Sequence, residues 1–233
     1  MKEKIYLIPG LMCDERLWSA IIPYLEDKYE LINLPIPLIE NFDMALKELE
    51  NIIEDENINL LGFSLGAYLA SYFTIKNPTK VKRLFLLAGT PGSMNEDEII
   101  KRKMTLNQIE KFGFKGLSHK VVLTLLKEKN HDNIELIELI KDMFKKLGKD
   151  VYKIQIKSSF NRIDISNELK NLKIPIRFFY SKEDKLLNYE ILNKFTQEDK
   201  HISLVSKEGS SHMLPLEESK DVSKEIIKWM EIS

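Results

Sequence analysis

Hydrophobic positions along this chain fall into two alternating patterns. Short continuous runs occur in KIYLIPG, KYELINLP, INLLGFS, VKRLFLLAG, IPIRFFYS and HISLVS. They are too short for helices and rich in Ile, Leu and Phe, so they read as six strands, most of them buried on both faces. Between them, apolar residues recur every three or four positions. Leu17, Trp18, Ile21 and Leu25 share one face of a helix expected over residues 14–25. Leu46, Leu49, Ile52 and Ile53 share another, with Asp43 as its expected cap. A third helix follows GFSLG and runs to about Lys76, stopped near Pro78, and a last one covers about residues 216–230. Strand and helix in alternation predict an α/β fold, a mostly parallel six-stranded sheet with helices on both faces.

The alternation stops between the fourth and fifth strands. From residue 95 to residue 170 only amphipathic helix patterns occur, such as IELIELIKDMFKKLG. This stretch is expected to be a helical lid inserted into a core made of residues 1–94 and 171–233. Residues 101–129 carry eight Lys or Arg and two Glu, a local balance of +6. Such a run is ordinarily a solvated surface, and it is also what an acidic partner would meet.

Composition narrows the function classes. The chain has 233 residues, of which 43% are hydrophobic and 30% charged, and a formal net charge of -1. That length suits one well-filled domain, and the charge gives no overall attraction to nucleic acid. The single cysteine, Cys13, excludes an internal disulfide and a metal–thiolate cluster. No run reaches the length of a membrane span, and the opening residues lack a signal-peptide core, so a cytoplasmic protein is expected. No Walker-type loop, dinucleotide glycine pattern or metal-ligand cluster occurs, and no cofactor is expected.

The candidate chemistry centres on Gly62-Phe63-Ser64-Leu65-Gly66. Ser64 ends a strand pattern and opens a helix pattern, the setting of a strand-to-helix turn that lifts a serine hydroxyl toward a base. Glycine two residues before and after leaves room for that crowded turn. The Leu65 N–H, at the positive end of the helix, is one expected donor to a developing oxyanion. The Leu11 N–H, in the loop after the first strand, is the other. Of the four histidines, His119 and His131 lie among charged residues in the helical stretch and His201 begins a strand. His212 lies in the Gly/Ser-rich loop KEGSSHMLPLEE before the last helix, where it can reach the same sheet edge as Ser64. The acid that orients it should follow the fifth strand, where Glu183 and Asp184 both stand; Asp184 is the choice and Glu183 the rival. Met12, Trp18, Phe63 and Met213, beside Leu11 and Leu65, flank these loops and are candidate walls of an apolar pocket.

With these residues in place, the sequence resembles the α/β-hydrolase superfamily over essentially its whole length. The elbow GFSLG, the acid loop YSKED and the base loop GSSHMLPLE match that superfamily's three landmarks in order and approximate spacing. The opening LIPGLMCDERLW and the stretch FNRIDISNELKNLKIPI look like one of its subgroups, in which Arg-x-Asp precedes the strand carrying the acid. The resemblance implies Ser64, Asp184 and His212 as a catalytic triad and Leu11 and Leu65 as oxyanion donors. Three departures stand out. Pro9-Gly10 replaces the common His-Gly, Ser181 takes the place of a common glycine, and two strands that often begin the fold are absent. The expected activity is hydrolysis of a carboxylic ester, with an acyl or small aromatic ester as substrate. A narrower form resembles the esterases of pimeloyl-acyl-carrier-protein methyl ester, with the basic lid meeting an acidic carrier protein. A lyase or C–C bond hydrolase on the same fold, and a non-catalytic binding protein, are the alternatives.

Overall fold

The structure is a computed structural model, and it describes residues 2–195 and 199–232. In chain order the elements are β1 (Glu3–Ile8), a 3-10 turn (Glu15–Trp18), α1 (Ile22–Leu25), β2 (Tyr29–Asn33), α2 (Phe42–Ile52), β3 (Ile58–Phe63) and α3 (Leu65–Lys76). Then come β4 (Val81–Leu87), α4 (Glu96–Phe112), α5 (His119–Leu123), a second 3-10 turn (Glu128–Asn130), α6 (Ile134–Phe160) and α7 (Ser166–Asn171). The chain ends with β5 (Ile176–Ser181), α8 (Tyr189–Leu192), β6 (Ile202–Lys207), α9 (Leu214–Glu217) and α10 (Ser219–Met230).

The six strands form one parallel sheet in the order β2-β1-β3-β4-β5-β6. Every residue of the central strand β3 is buried, whereas the edge strand β6 alternates. That difference follows from position: a central strand has helices over both faces, and an edge strand has solvent beside it. One apolar cluster joins Leu60, Leu84, Leu86 and Phe178 to α2 and α3. A second joins Leu7, Leu61, Phe85 and Phe179 to the first 3-10 turn and α10, and a third joins Met12 to Ile109 of α4 and to Phe144, Tyr152 and Ile156 of α6. The strand order reverses between β1 and β3, and in open α/β sheets a crevice forms at such a point beyond the carboxyl ends.

Three expected elements differ in detail. The single helix over residues 14–25 is two short pieces, Glu15–Trp18 and Ile22–Leu25. Pro23 explains the break: its ring is accommodated only in a first helical turn, so α1 must begin at that point. The cap of α2 is Asn41, whose side chain accepts from the Met44 N–H at 3.1 Å, and not Asp43, which lies within the first turn. The last helix is divided at Glu218 into α9 and α10. Between β4 and β5 every regular element among the described residues is a helix or 3-10 turn, with no strand, as the pattern predicts. Gly148, with φ 82°, interrupts α6 in the left-handed region open to glycine.

Candidate active site

Ser64 sits at the carboxyl end of β3 with φ 53° and ψ −113°, a strained conformation for a residue with a side chain. Its neighbours hold it there. The Ser64 N–H donates to Leu87 O at 2.9 Å, and the Ser64 carbonyl accepts from the Ala67 N–H at 3.0 Å in the first turn of α3. The flanking glycines are sterically required. A Cβ on Gly62 would stand 2.2 Å from Gly66 O, and one on Gly66 would stand 2.3 Å from Pro9 O. The turn therefore closes only if strand and helix pass at backbone contact.

The structure brings Ser64, His212 and Asp184 together. His212 Nε2 lies 3.0 Å from Ser64 Oγ, and His212 Nδ1 lies 2.7 Å from Asp184 Oδ2. His212 and Asp184 are buried, and Ser64 is partly open. Because a carboxylate only accepts, the contact to Asp184 puts the imidazole hydrogen on Nδ1 and leaves Nε2 to accept from the serine hydroxyl. Glu183 is exposed, and its N–H donates to Gly209 O at 3.0 Å. Among the described residues, the side-chain hydrogen bonds of His212 go to Asp184 and Ser64 and not to Glu183. Phe63 packs on the His212 ring, with centroids 5.2 Å apart.

The base loop is anchored from two sides. The His212 N–H donates to Leu125 O at 2.9 Å, and Ser181 Oγ donates to Ser211 O at 2.6 Å. Ser181, where a glycine is common, thus joins the end of β5 to the residue before the histidine. Glu217 accepts from Ser211 Oγ and from the Lys127 N–H at 2.9 Å, which ties the loop to the segment after α5.

The loop after β1 carries Leu11. Among the described residues, no protein acceptor takes the N–H of Leu11 or of Leu65. Leu11 borders the Ser64 cavity, and Leu65 borders a small polar side cavity that also touches Ser64. Met12, next to Leu11, has φ 56°, and its N–H donates to the buried Oε1 of Gln155 on α6 at 2.8 Å. The sequence pattern gives no hint of Gln155.

The cavity at Ser64 has a volume of about 310 Å³. Leu11, Met12, Phe63 and Met213 border it, as expected, together with Met143, Phe144, Tyr152 and Ile156 of α6. Trp18 does not. It is fully buried behind Phe63, edge-on with ring centroids 6.4 Å apart, because the first 3-10 turn directs it into the core. Glu98, Lys101 and Arg102 add charge to the cavity wall, and Glu98 and Arg102 pair with each other at 2.5 Å. Cys13 also borders it, but burial foremost, with Asp14 nearby, pushes its thiol up to about 12. A protonated thiol is a poor nucleophile, so Ser64 is the better-placed one.

Arg162, of the Arg-x-Asp pair, braces the far side of the elbow. It donates to Thr90 O at 3.1 Å and to Gly92 O at 2.9 and 2.6 Å, and it stacks 4.6 Å over the Tyr68 ring. Burial pulls its guanidinium down to about 10. Asp164 pairs instead with Lys194 and accepts from Ser166. Among the described residues no three or more His, Cys, Asp and Glu side chains gather as a metal site. None of the helices there is long and apolar enough to cross a membrane.

Comparison with known proteins agrees with the fold. A sequence-family model described as alpha/beta hydrolase fold matches residues 39–120. The biotin biosynthesis bifunctional protein BioHC of Teredinibacter turnerae is 23% identical over 80% of this chain and 37% of its own. A pimeloyl-[acyl-carrier protein] methyl ester esterase of Legionella pneumophila is 27% identical over 40% of each chain. The chain thus spans about two fifths of the length of these relatives. Among solved structures, a thermophilic esterase of Thermogutta terrifontis superposes with a TM-score of 0.85 at 19% identity, covering 99% of this chain and 90% of that one.

Proposed function

The chain has the α/β-hydrolase fold, and from that premise we propose that it is a serine hydrolase acting on a carboxylic ester. The observation that carries this reading is the hydrogen-bonded line Ser64–His212–Asp184 at the mouth of an apolar cavity. His212 removes the proton from Ser64 Oγ as it attacks the acyl carbonyl. Asp184 fixes the imidazole tautomer and stabilises the imidazolium. The oxyanion faces the free N–H groups of Leu11 and Leu65, and such donors each contribute about 10² to 10³ in rate. His212 returns the proton to the departing alcohol, and water, activated by the same imidazole, releases the acid and regenerates Ser64. Residues 95–170 act as a lid over this site, and Met143, Phe144, Tyr152 and Ile156 supply its apolar inner wall. The test is ester turnover by the wild-type protein and by Ser64→Ala.

A narrower reading has a specific observation behind it. Of the eight basic residues in the +6 stretch, Arg102 pairs with Glu98, and Lys127 and Lys129 pair with Glu218. Lys101, Lys103, Lys111, Lys115 and Lys120 form no ion pair with the described residues. Lys101 stands at the cavity itself. Free lysines beside the site favour an acyl group delivered on an acidic carrier, and the relatives named for pimeloyl-acyl-carrier-protein esters support this.

A further inference from the structure

Resting on the reading of Ser64 as an ester-cleaving nucleophile, we propose that the acid part of the substrate is a straight acyl chain of medium length. It runs from Ser64 past Val121 into a second cavity between α4, α5 and α6. That second cavity has a volume of about 490 Å³ and is bordered by Phe112, Phe114 and the residues leading into α5. Thr105, Leu117, Val121, Phe144 and Tyr152 border both it and the Ser64 cavity. These five come from three directions: Thr105 from α4, Leu117 and Val121 from the entry and first turn of α5, Phe144 and Tyr152 from α6. Residues on three sides of two adjoining spaces form a collar between them.

The collar suits a hydrocarbon. None of its members is charged; Glu98, Lys101 and Arg102 stand at the inner cavity and Lys115 at the rim of the second. Phe144, Tyr152 and Phe114 form a row of rings along the route, with successive centroids 5.7 Å apart. Such a run of rings offers an extended hydrocarbon chain apolar contact along its length. At the outer end Phe112, which borders the second cavity, is 71% exposed. An apolar side chain held in water at the end of an apolar route is accounted for if the chain's far end covers it.

The experiment separates binding from catalysis. Ser64→Ala protein is titrated by calorimetry with linear alkanoates from hexanoate to dodecanoate, and wild-type protein is assayed on the corresponding p-nitrophenyl esters. Each methylene taken up should tighten binding by about two- to fourfold. Val121 is 44% exposed, so Val121→Trp places bulk in the collar without disturbing the core. In the Ser64→Ala background it should lower the decanoate-to-hexanoate affinity ratio at least about tenfold. Leu117→Trp probes the same collar from a second position should the first variant fail to fold. Equal affinities along the series, or a ratio that neither tryptophan moves, overturns the proposal. A length gradient erased by tryptophan, in a protein whose wild type cleaves no ester, upholds the channel and removes the ester reading alone.

Discussion

At the scale of single residues, the elbow depends on a few strained positions held by specific bonds. Ser64 and Met12 both have positive φ, and both are tethered through their N–H groups. For Met12 the tether is Gln155 Oε1, which ties the loop bearing Leu11 to α6. Gln155→Leu leaves a buried N–H unpaired and frees the loop to rotate the Leu11 donor away. The expected result is a kcat lowered by about 10- to 100-fold, with a smaller change in KM, because in the proposed mechanism the donor acts on the transition state. Steady-state kinetics on a soluble ester reads this directly; a change confined to KM would assign Gln155 to substrate binding instead.

At the scale of elements, the helices between β4 and β5 are joined to the base loop through Glu218, at the break between α9 and α10. Burial alone would raise its carboxyl, but hydrogen bonds and charge from Lys127 and Lys207 outweigh that and hold it down to about 2. A lowered carboxylate stabilises the fold above its ordinary value of 4.5, and that contribution is lost as pH falls toward about 2. Melting temperature should therefore drop over that acid window, and Glu218→Gln should flatten the drop while lowering stability near neutrality. The sequence made the six strands and the positions of Ser64, Asp184 and His212 legible, since buried runs and loop order are local properties. It did not disclose the two-piece helix at Pro23, the Asn41 cap or the inward turn of Trp18. Those depend on which neighbour wins a capping or packing contest, and periodicity assigns a face without saying which face borders a cavity. Gln155 was hidden for the same reason, since its partner is 143 positions away in sequence.

At the scale of the whole molecule, a net charge of -1 conceals an uneven surface. Of the lysines without an ion pair on α4, α5 and the segment between them, Lys101 borders the Ser64 cavity and Lys115 the cavity adjoining it. If an acidic carrier docks there, kcat/KM for a carrier-linked ester falls steeply with added salt, while that for the free ester stays level. Equal salt dependence for both would leave the lysines as a solvated surface. The central claim, that Ser64 is an ester-cleaving nucleophile, is tested most directly by comparing turnover of a p-nitrophenyl ester by wild type and Ser64→Ala. The account predicts measurable wild-type turnover and a loss of several orders of magnitude in the variant, up to roughly 10⁶. Full activity in a folded Ser64→Ala protein would contradict it.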